Sequence, residues 1–214
     1  NLVYDTLRVK ASAAHVMGSD TPRALVLGAL RVASKLDAAA ITRLADGGSH
    51  NPKALTPEET LHLSQSRDVD APLWVQADIP ERLLASLHRS LGDRLVEEGR
   101  ACAARAPVDL RVNTLKTARA DLLNAFAKYG ATATPLSPLG LRIKAGDGPA
   151  ARTPNVEADI EHGKGWFEVQ DEGSQIAALM TGAKRGQQIL DLCAGAGGKT
   201  LALAAQMQNT GKIF

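Results

Sequence analysis

The sequence predicts a helical region followed by α/β structure, in three parts spanning residues 1–106, 107–164 and 165–214. Three observations carry this reading. Capped, leucine-rich segments succeed one another through the first part. A strand, helix, strand order then fills about 50 residues, the mark of a small α/β unit. Last, an apolar strand runs into a glycine-rich turn and a helix, which opens a second α/β layer.

Each element has a local cause. Ser19, Asp20 and Thr21 precede Pro22, a cap with proline in the first turn, and Leu25, Leu27, Leu30 and Val32 recur behind it. Asp37 can cap a short helix that ends at Gly47-Gly48. Thr56-Pro57-Glu58-Glu59 repeats the cap, proline and acidic-turn pattern, with Leu61 and Leu63 following. Pro80 opens a helix carrying Leu83, Leu84, Leu87 and Leu91, with Gly92 as its stop. A last helix runs from Asp93 to Arg105, and Pro107 ends it.

The pattern then changes. Val108 to Val112 alternates as a strand does. Ala118 to Tyr129 reads as a helix stopped by Gly130, and Gly140 to Lys144 as a second strand. Residues 145–155, rich in Gly, Pro and Ala, read as a loop. Trp166 to Val169 is extended and Asp171 to Met180 helical. Gln187 to Cys193 is an apolar strand, Lys199 to Gln208 a helix, and Lys212-Ile213-Phe214 begins another strand.

Composition limits the classes. The 214 residues correspond to one or two domains at about 150 residues each. Apolar residues at 44% and charged residues at 22% fit a soluble globular chain. No apolar run approaches a membrane-spanning helix, and no signal peptide is visible. Two cysteines, Cys102 and Cys193, cannot form a disulfide framework or a four-ligand zinc site, so no metal is expected. A reducing, cytoplasmic setting follows as the default. Asn1 in place of Met suggests that translation starts earlier.

The formal net charge of +2 hides an uneven distribution. Residues 51–110 carry 7 basic and 10 acidic side chains. Residues 111–152 carry 7 basic ones (Arg111, Lys116, Arg119, Lys128, Arg142, Lys144, Arg152) against Asp121 and Asp147. Such a segment points to a polyanion, or else to a solvated face.

The sharpest chemical feature is the stretch from Ile189 to Thr200, with sequence ILDLCAGAGGKT. Glycines let backbone approach a ligand, and a helix start offers free N–H groups. A phosphate-binding P-loop would need glycine where Cys193 stands. Gly195, Gly197 and Gly198 also miss the spacing of a dinucleotide fingerprint. An acidic residue at the strand end, Asp191, followed by Gly195 and Gly197, fits the turn of class I methyltransferases.

In its wider context the chain resembles the RsmB/Nop2/Sun family of RNA 5-cytosine methyltransferases. Residues 189–200 are similar to that family's first motif. Pro72-Leu73-Trp74 resembles its Pro-x-Trp helix opening, and residues 109–116 (DLRVNTLK) its Arg-Val-Asn-x-x-Lys strand. Residues 169–175 (VQDEGSQ) resemble the segment that enters the methyltransferase domain. Residues 1–8 resemble an interior helix of the NusB-like domain of the bacterial RsmB branch. The resemblance implies a NusB-like helical region, a small unit like an RNA-recognition motif, and the start of a Rossmann-like methyltransferase domain.

It also implies roles. Cys193, Ala194, Gly195, Ala196, Gly197, Gly198 and Lys199 match the S-adenosyl-L-methionine-binding turn, with Ala196 where many members carry proline. Gln170, Asp171, Ser174 and Gln175 match the segment beside the cofactor. Arg111, Asn113 and Lys116 fall where ribosomal RNA would be held. Phe126 and Tyr129 are the only aromatics of the small unit and lie on its predicted helix, so contacts to RNA backbone are expected rather than base stacking.

The reaction implied needs a thiolate to add at carbon 6 of cytosine, so that carbon 5 can take the methyl group, and a second cysteine for release. The Pro-Cys and Thr-Cys motifs that supply them do not occur in these 214 residues. Cys193 lies too early, and Cys102, among Ala101, Ala103 and Ala104, reads as a packed thiol. The acid that would hold the cofactor ribose is absent too. The expectation is therefore an interior slice, inactive alone, whose remaining polypeptide could exist as a separate chain. Alternatives are the same chemistry on tRNA, a non-catalytic RNA-binding or ribosome-assembly protein with this fold, and a small-molecule methyltransferase.

Overall fold

The computed structural model describes residues 2–65, 71–146 and 154–214. The chain divides into two compact units, one reaching from the N-terminus to Arg105 and one running from Ala106 onward.

Among the described residues the first unit is built from helices and loops: α1 (Leu2–Arg8), α2 (Lys10–Met17), α3 (Pro22–Val32), α4 (Ala38–Leu44), α5 (Pro57–Ser64), α6 (Leu73–Gln76), α7 (Leu84–Leu91) and α8 (Leu95–Ala103). The expected caps form. Thr21 accepts from the Ala24 N–H, Asp37 from the Ala40 N–H, and Thr56 and Glu59 close a reciprocal capping box. Val16, Met17, Ala24, Leu27, Ile41 and Leu63 make the core, placed inward by the period of each helix. Arg23 ties α3 to α5 through Glu59 at 2.7 Å.

Some boundaries differ from the sequence expectation. The helices expected to open at Pro80 and Asp93 each begin instead with a tight 3-10 turn, Glu81–Leu83 and Gly92–Arg94. Cys102, expected to be packed, is exposed. It lies on the last turn of α8, past the point where Gly99 meets Ala77.

The second unit contains β1 (Val108–Val112), α9 (Arg119–Ala125), β2 (Thr132–Ala133), β3 (Gly140–Ile143), α10 (Ile160–Gly163), β4 (Phe167–Val169), α11 (Glu172–Leu179), β5 (Gln188–Ile189), α12 (Gly198–Gln206) and β6 (Lys212–Ile213). Four strands form an antiparallel sheet in the order β2-β3-β1-β4. Leu110, Val112, Leu141, Ile143 and Phe167 point from one face onto Leu122, Phe126 and Val156. Alternation sends Asp109 and Arg111 to the opposite face.

The fourth strand comes from beyond residue 164. β4 pairs with β1, with Val112 opposite Phe167, so the extended stretch at the head of the third sequence region completes the small sheet. The helix expected to run from Ala118 to Tyr129 ends at Ala125, and Ala127–Tyr129 forms a 3-10 turn. The strand expected over Gln187–Cys193 pairs only at Gln188 and Ile189, parallel to Lys212 and Ile213. Of the loop at 145–155, residues 147–153 lie outside the described residues.

Candidate functional site

The glycine turn is built from its neck upward. Asp191 N–H donates to the Phe214 carbonyl at 2.9 Å, and Phe214 N–H donates to Ile189, which continues the parallel pairing. The Asp191 carboxylate then closes the neck. It accepts from the Thr200 hydroxyl at 2.7 Å, nine residues along, and from the Cys193 N–H at 3.3 Å. Within the loop, Gly197 N–H donates to the Ala194 carbonyl. Gly195 and Gly197 adopt φ of +53° and +86°, which a side chain would strain.

Cys193, Ala194, Gly195, Ala196 and Lys199 are exposed, while Gly197 and Gly198 are half-buried. A Cβ built on Gly197 would meet nothing within 4 Å. The loop thus borders open space, lined by backbone and facing the first turn of α12. The leading N–H groups of a helix have no partner within it. This donor set fits the polar tail of an amino-acid-like cofactor. The Cys193 thiol is exposed in the same loop.

Residues 170–175 are brought beside this turn. Asp171 caps α11, accepting from the Ser174 N–H at 3.2 Å. That N–H holds the Asp171 carboxyl below its ordinary range, with the Lys199 ammonium adding to the effect. The entering segment and the glycine turn therefore meet electrostatically as well as by packing.

The same segment covers the polar face of the sheet. Asp109 takes two guanidinium bonds from Arg142, at 2.7 and 2.6 Å, and one from the Glu172 N–H at 3.0 Å. Glu172 accepts the N–H groups of Leu136 and Ser137, which lower its carboxyl pKa. Gln175 donates to the Gln170 carbonyl and accepts from the Ser137 hydroxyl. A buried polar network of this kind rigidifies when its members are satisfied.

The residues expected at RNA are distributed differently. Arg111 is only 2% exposed and donates from Nε to Gln170 Oε1 at 2.7 Å. Burial lowers its pKa, partly opposed by Glu168. In this position it is not available to a phosphate, contrary to the sequence expectation, because the 170–175 segment covers it. Asn113 is also engaged: its amide donates to the Gly165 carbonyl and its oxygen accepts from the Leu115 N–H. It shapes the turn that presents Lys116, which is exposed.

Other members of the basic segment are likewise used internally. Arg119 donates to the carbonyls of Gly140 and Thr134, Lys128 pairs with Asp159, and Arg142 pairs with Asp109. Lys116 and Lys144 remain exposed, and Arg152 lies outside the described residues. Phe126 is fully buried, packed edge-on against Phe167, which removes it from any stacking role.

Sequence reasoning missed the inward turn of Arg111. The strict alternation of β1 signals it, since Arg111 falls on the opposite face from Leu110 and Val112. Only the long-range cover from residues 170–175 shows that this face is buried.

Comparison with known proteins agrees with this architecture. Residues 79–147 match the ferredoxin-like domain of the RsmF/B-like methyltransferases. A probable ribosomal RNA small subunit methyltransferase B from Synechocystis is 30% identical over 145 residues, 66% of this chain and 31% of that protein. Ribosomal RNA small subunit methyltransferase F from Escherichia coli O157:H7 is 33% identical over 141 residues, 63% of this chain and 29% of that protein. The chain thus spans about a third of the length of these relatives. The crystal structure of PH0851 shares the fold, with a TM-score of 0.64 at 22% identity, covering 99% of this chain and 52% of that one. The chain is therefore related to the RNA 5-cytosine methyltransferases of the RsmB/RsmF/NSUN group and carries their N-terminal, ferredoxin-like region.

Proposed function

We propose that this chain is the RNA-facing and cofactor-turn portion of an adenosyl-methionine-dependent enzyme that makes 5-methylcytosine in small-subunit ribosomal RNA, of the B type. The observation that carries the reading is the joining, within one compact unit, of a ferredoxin-like sheet to a strand, glycine turn and helix through residues 170–175. A small-molecule methyltransferase has no need of that sheet.

Cys193 to Lys199 form the cofactor cradle in this reading. Adenosyl-methionine, when bound, supplies the electrophilic methyl group. The backbone N–H groups at the start of α12 hold its polar tail, and Asp191 keeps the loop closed at its neck. Lys116 holds RNA phosphate from the turn that Asn113 shapes. The two thiols of the reaction are supplied from outside these 214 residues. The enzyme works in the cytoplasm, where thiols stay reduced.

The test is methyl transfer from labelled adenosyl-methionine by the intact gene product, offered small-subunit ribosomal RNA and tRNA in parallel. Label in ribosomal RNA alone is expected, and none is expected from residues 1–214 alone. Label confined to tRNA overturns the substrate, and transfer by residues 1–214 overturns the assignment of the thiols.

A further inference from the structure

We propose that Arg111 and Gln170 are a positioning pair for the glycine turn, with Arg111 acting on the cofactor cradle and not on RNA. This rests on the reading of residues 193–199 as that cradle and deepens it.

The orientation of Gln170 follows from its partner. A guanidinium has donors only, so the atom of Gln170 that faces Arg111 Nε at 2.7 Å is its carbonyl oxygen. The amide nitrogen then faces the other way. It stands 3.5 Å from the position a Cβ would occupy on Gly198, the first residue of α12. The donor end of Gln170 therefore faces the helix start immediately after the loop, across a gap that a methyl group would fill at van der Waals distance.

The backbone of Gln170 is clamped as well. Its N–H donates to the Asp109 carbonyl at 3.0 Å, and its carbonyl accepts from the Gln175 amide at 2.8 Å. With main chain and carbonyl oxygen both held, the amide has one orientation. Arg111 is what holds the oxygen end. Among the described residues no carboxylate lies within 4.0 Å of that guanidinium. The nearest opposing charge is Glu168, the cross-strand neighbour of Arg111 on β4, which acts from beyond that distance, and a buried cation compensated no more closely than this is costly to keep. A purely structural strand would be served better by an apolar residue, so the geometry favours a role for Arg111 in orienting Gln170.

The experiment uses the intact gene product with Arg111→Met, Gln170→Glu and the double variant. Gln170→Glu keeps an acceptor for Arg111, so the sheet holds, but removes the donor against Gly198. Cofactor affinity is read by calorimetry, RNA affinity against salt concentration, and folding by thermal melt. Each single variant is expected to weaken adenosyl-methionine binding about tenfold, leaving the salt slope of RNA binding unchanged. The double variant is expected to be no worse than the weaker single, because the pair acts as a unit. A smaller salt slope with unchanged cofactor affinity in Arg111→Met makes Arg111 a phosphate contact and overturns the proposal. Lower melting with wild-type cofactor affinity makes the pair merely structural and overturns it too. Should Arg111→Met fail to fold, Gln170→Glu decides alone. A wild-type protein that binds no adenosyl-methionine overturns the functional reading, and this proposal with it.

Discussion

Asp109 and Arg142 stand directly opposite each other on β1 and β3, and Arg142 reaches both carboxylate oxygens of Asp109. The Asp109 side chain is 4% exposed and also accepts the first N–H of α11. One carboxylate thus joins sheet and entering helix. Removing it leaves the half-buried Arg142 guanidinium with only the longer contact to Glu172, at 3.5 Å, and a helix N–H without its acceptor. Asp109→Ala is expected to cost about 2 kcal/mol of stability, the loss of charge-assisted hydrogen bonds from a partly exposed partner and of one buried N–H acceptor. Denaturant unfolding followed by circular dichroism measures it, and a loss below about 1 kcal/mol would mean that water replaces the carboxylate freely.

Glu172 sets an acid limit. Its pKa is lowered by the N–H groups of Ser137 and Leu136, so its ionised form is favoured in the fold. A lowered carboxyl pKa contributes stability that is present above the unfolded value of about 4 and is lost as pH falls through the folded value. Asp171 shifts in the same direction. Melting temperature is expected to fall below about pH 4, and Glu172→Gln is expected to flatten that fall. An identical acid profile in the variant would place the acid sensitivity elsewhere.

Asp78 has the opposite sign. It accepts from the Ser12 N–H at 2.8 Å and the Ser12 hydroxyl at 2.7 Å, capping α2 from a distant part of the chain. Burial raises its pKa. A raised carboxyl pKa means that stability declines as pH rises through the unfolded value of about 4 toward the folded value. Its φ of +50° suits Asn, which tolerates the left-handed region. Asp78→Asn is expected to melt no lower than wild type at neutral pH, whereas Asp78→Ala loses the cap at about 1 kcal/mol. A pH-titrated series of melts on both variants checks the sign.

Gly28 is a contact point inside a helix. A Cβ there would lie 2.4 Å from the Ala13 carbonyl oxygen, which is backbone and cannot turn aside. Gly to Ala in an open helix gains about 1 kcal/mol. Gly28→Ala is expected to lose about 3 kcal/mol instead, because α2 and α3 must separate. The sign of the change in unfolding free energy is the readout.

Local chemistry made much of the helical unit legible. Thr21, Asp37 and Thr56 cap where cap residues precede proline or alanine runs, and those signals reside within four residues of chain. The alternation of Val108–Val112 and the glycines at 195 and 197 were equally plain. What stayed hidden depends on distant partners. β2 is two residues long and has no pattern to read. β4 finds its place only through pairing with β1, more than fifty residues away. Arg111 looked like a surface cation because basic residues crowd its neighbourhood. Only the cover from residues 170–175 turns it into a buried one. Cys102 misled in the other direction, since alanine neighbours suggest packing but its turn of α8 lies beyond its partner.

Nucleoside mass spectrometry of small-subunit ribosomal RNA reads the proposed reaction at its product. The RNA is first incubated with the intact gene product and methyl-labelled adenosyl-methionine. Label is expected in 5-methylcytosine and is abolished by Gly197→Val, since valine at a φ of +86° strains the loop. Label in any other nucleoside, or undiminished 5-methylcytosine in the Gly197→Val protein, would contradict this reading.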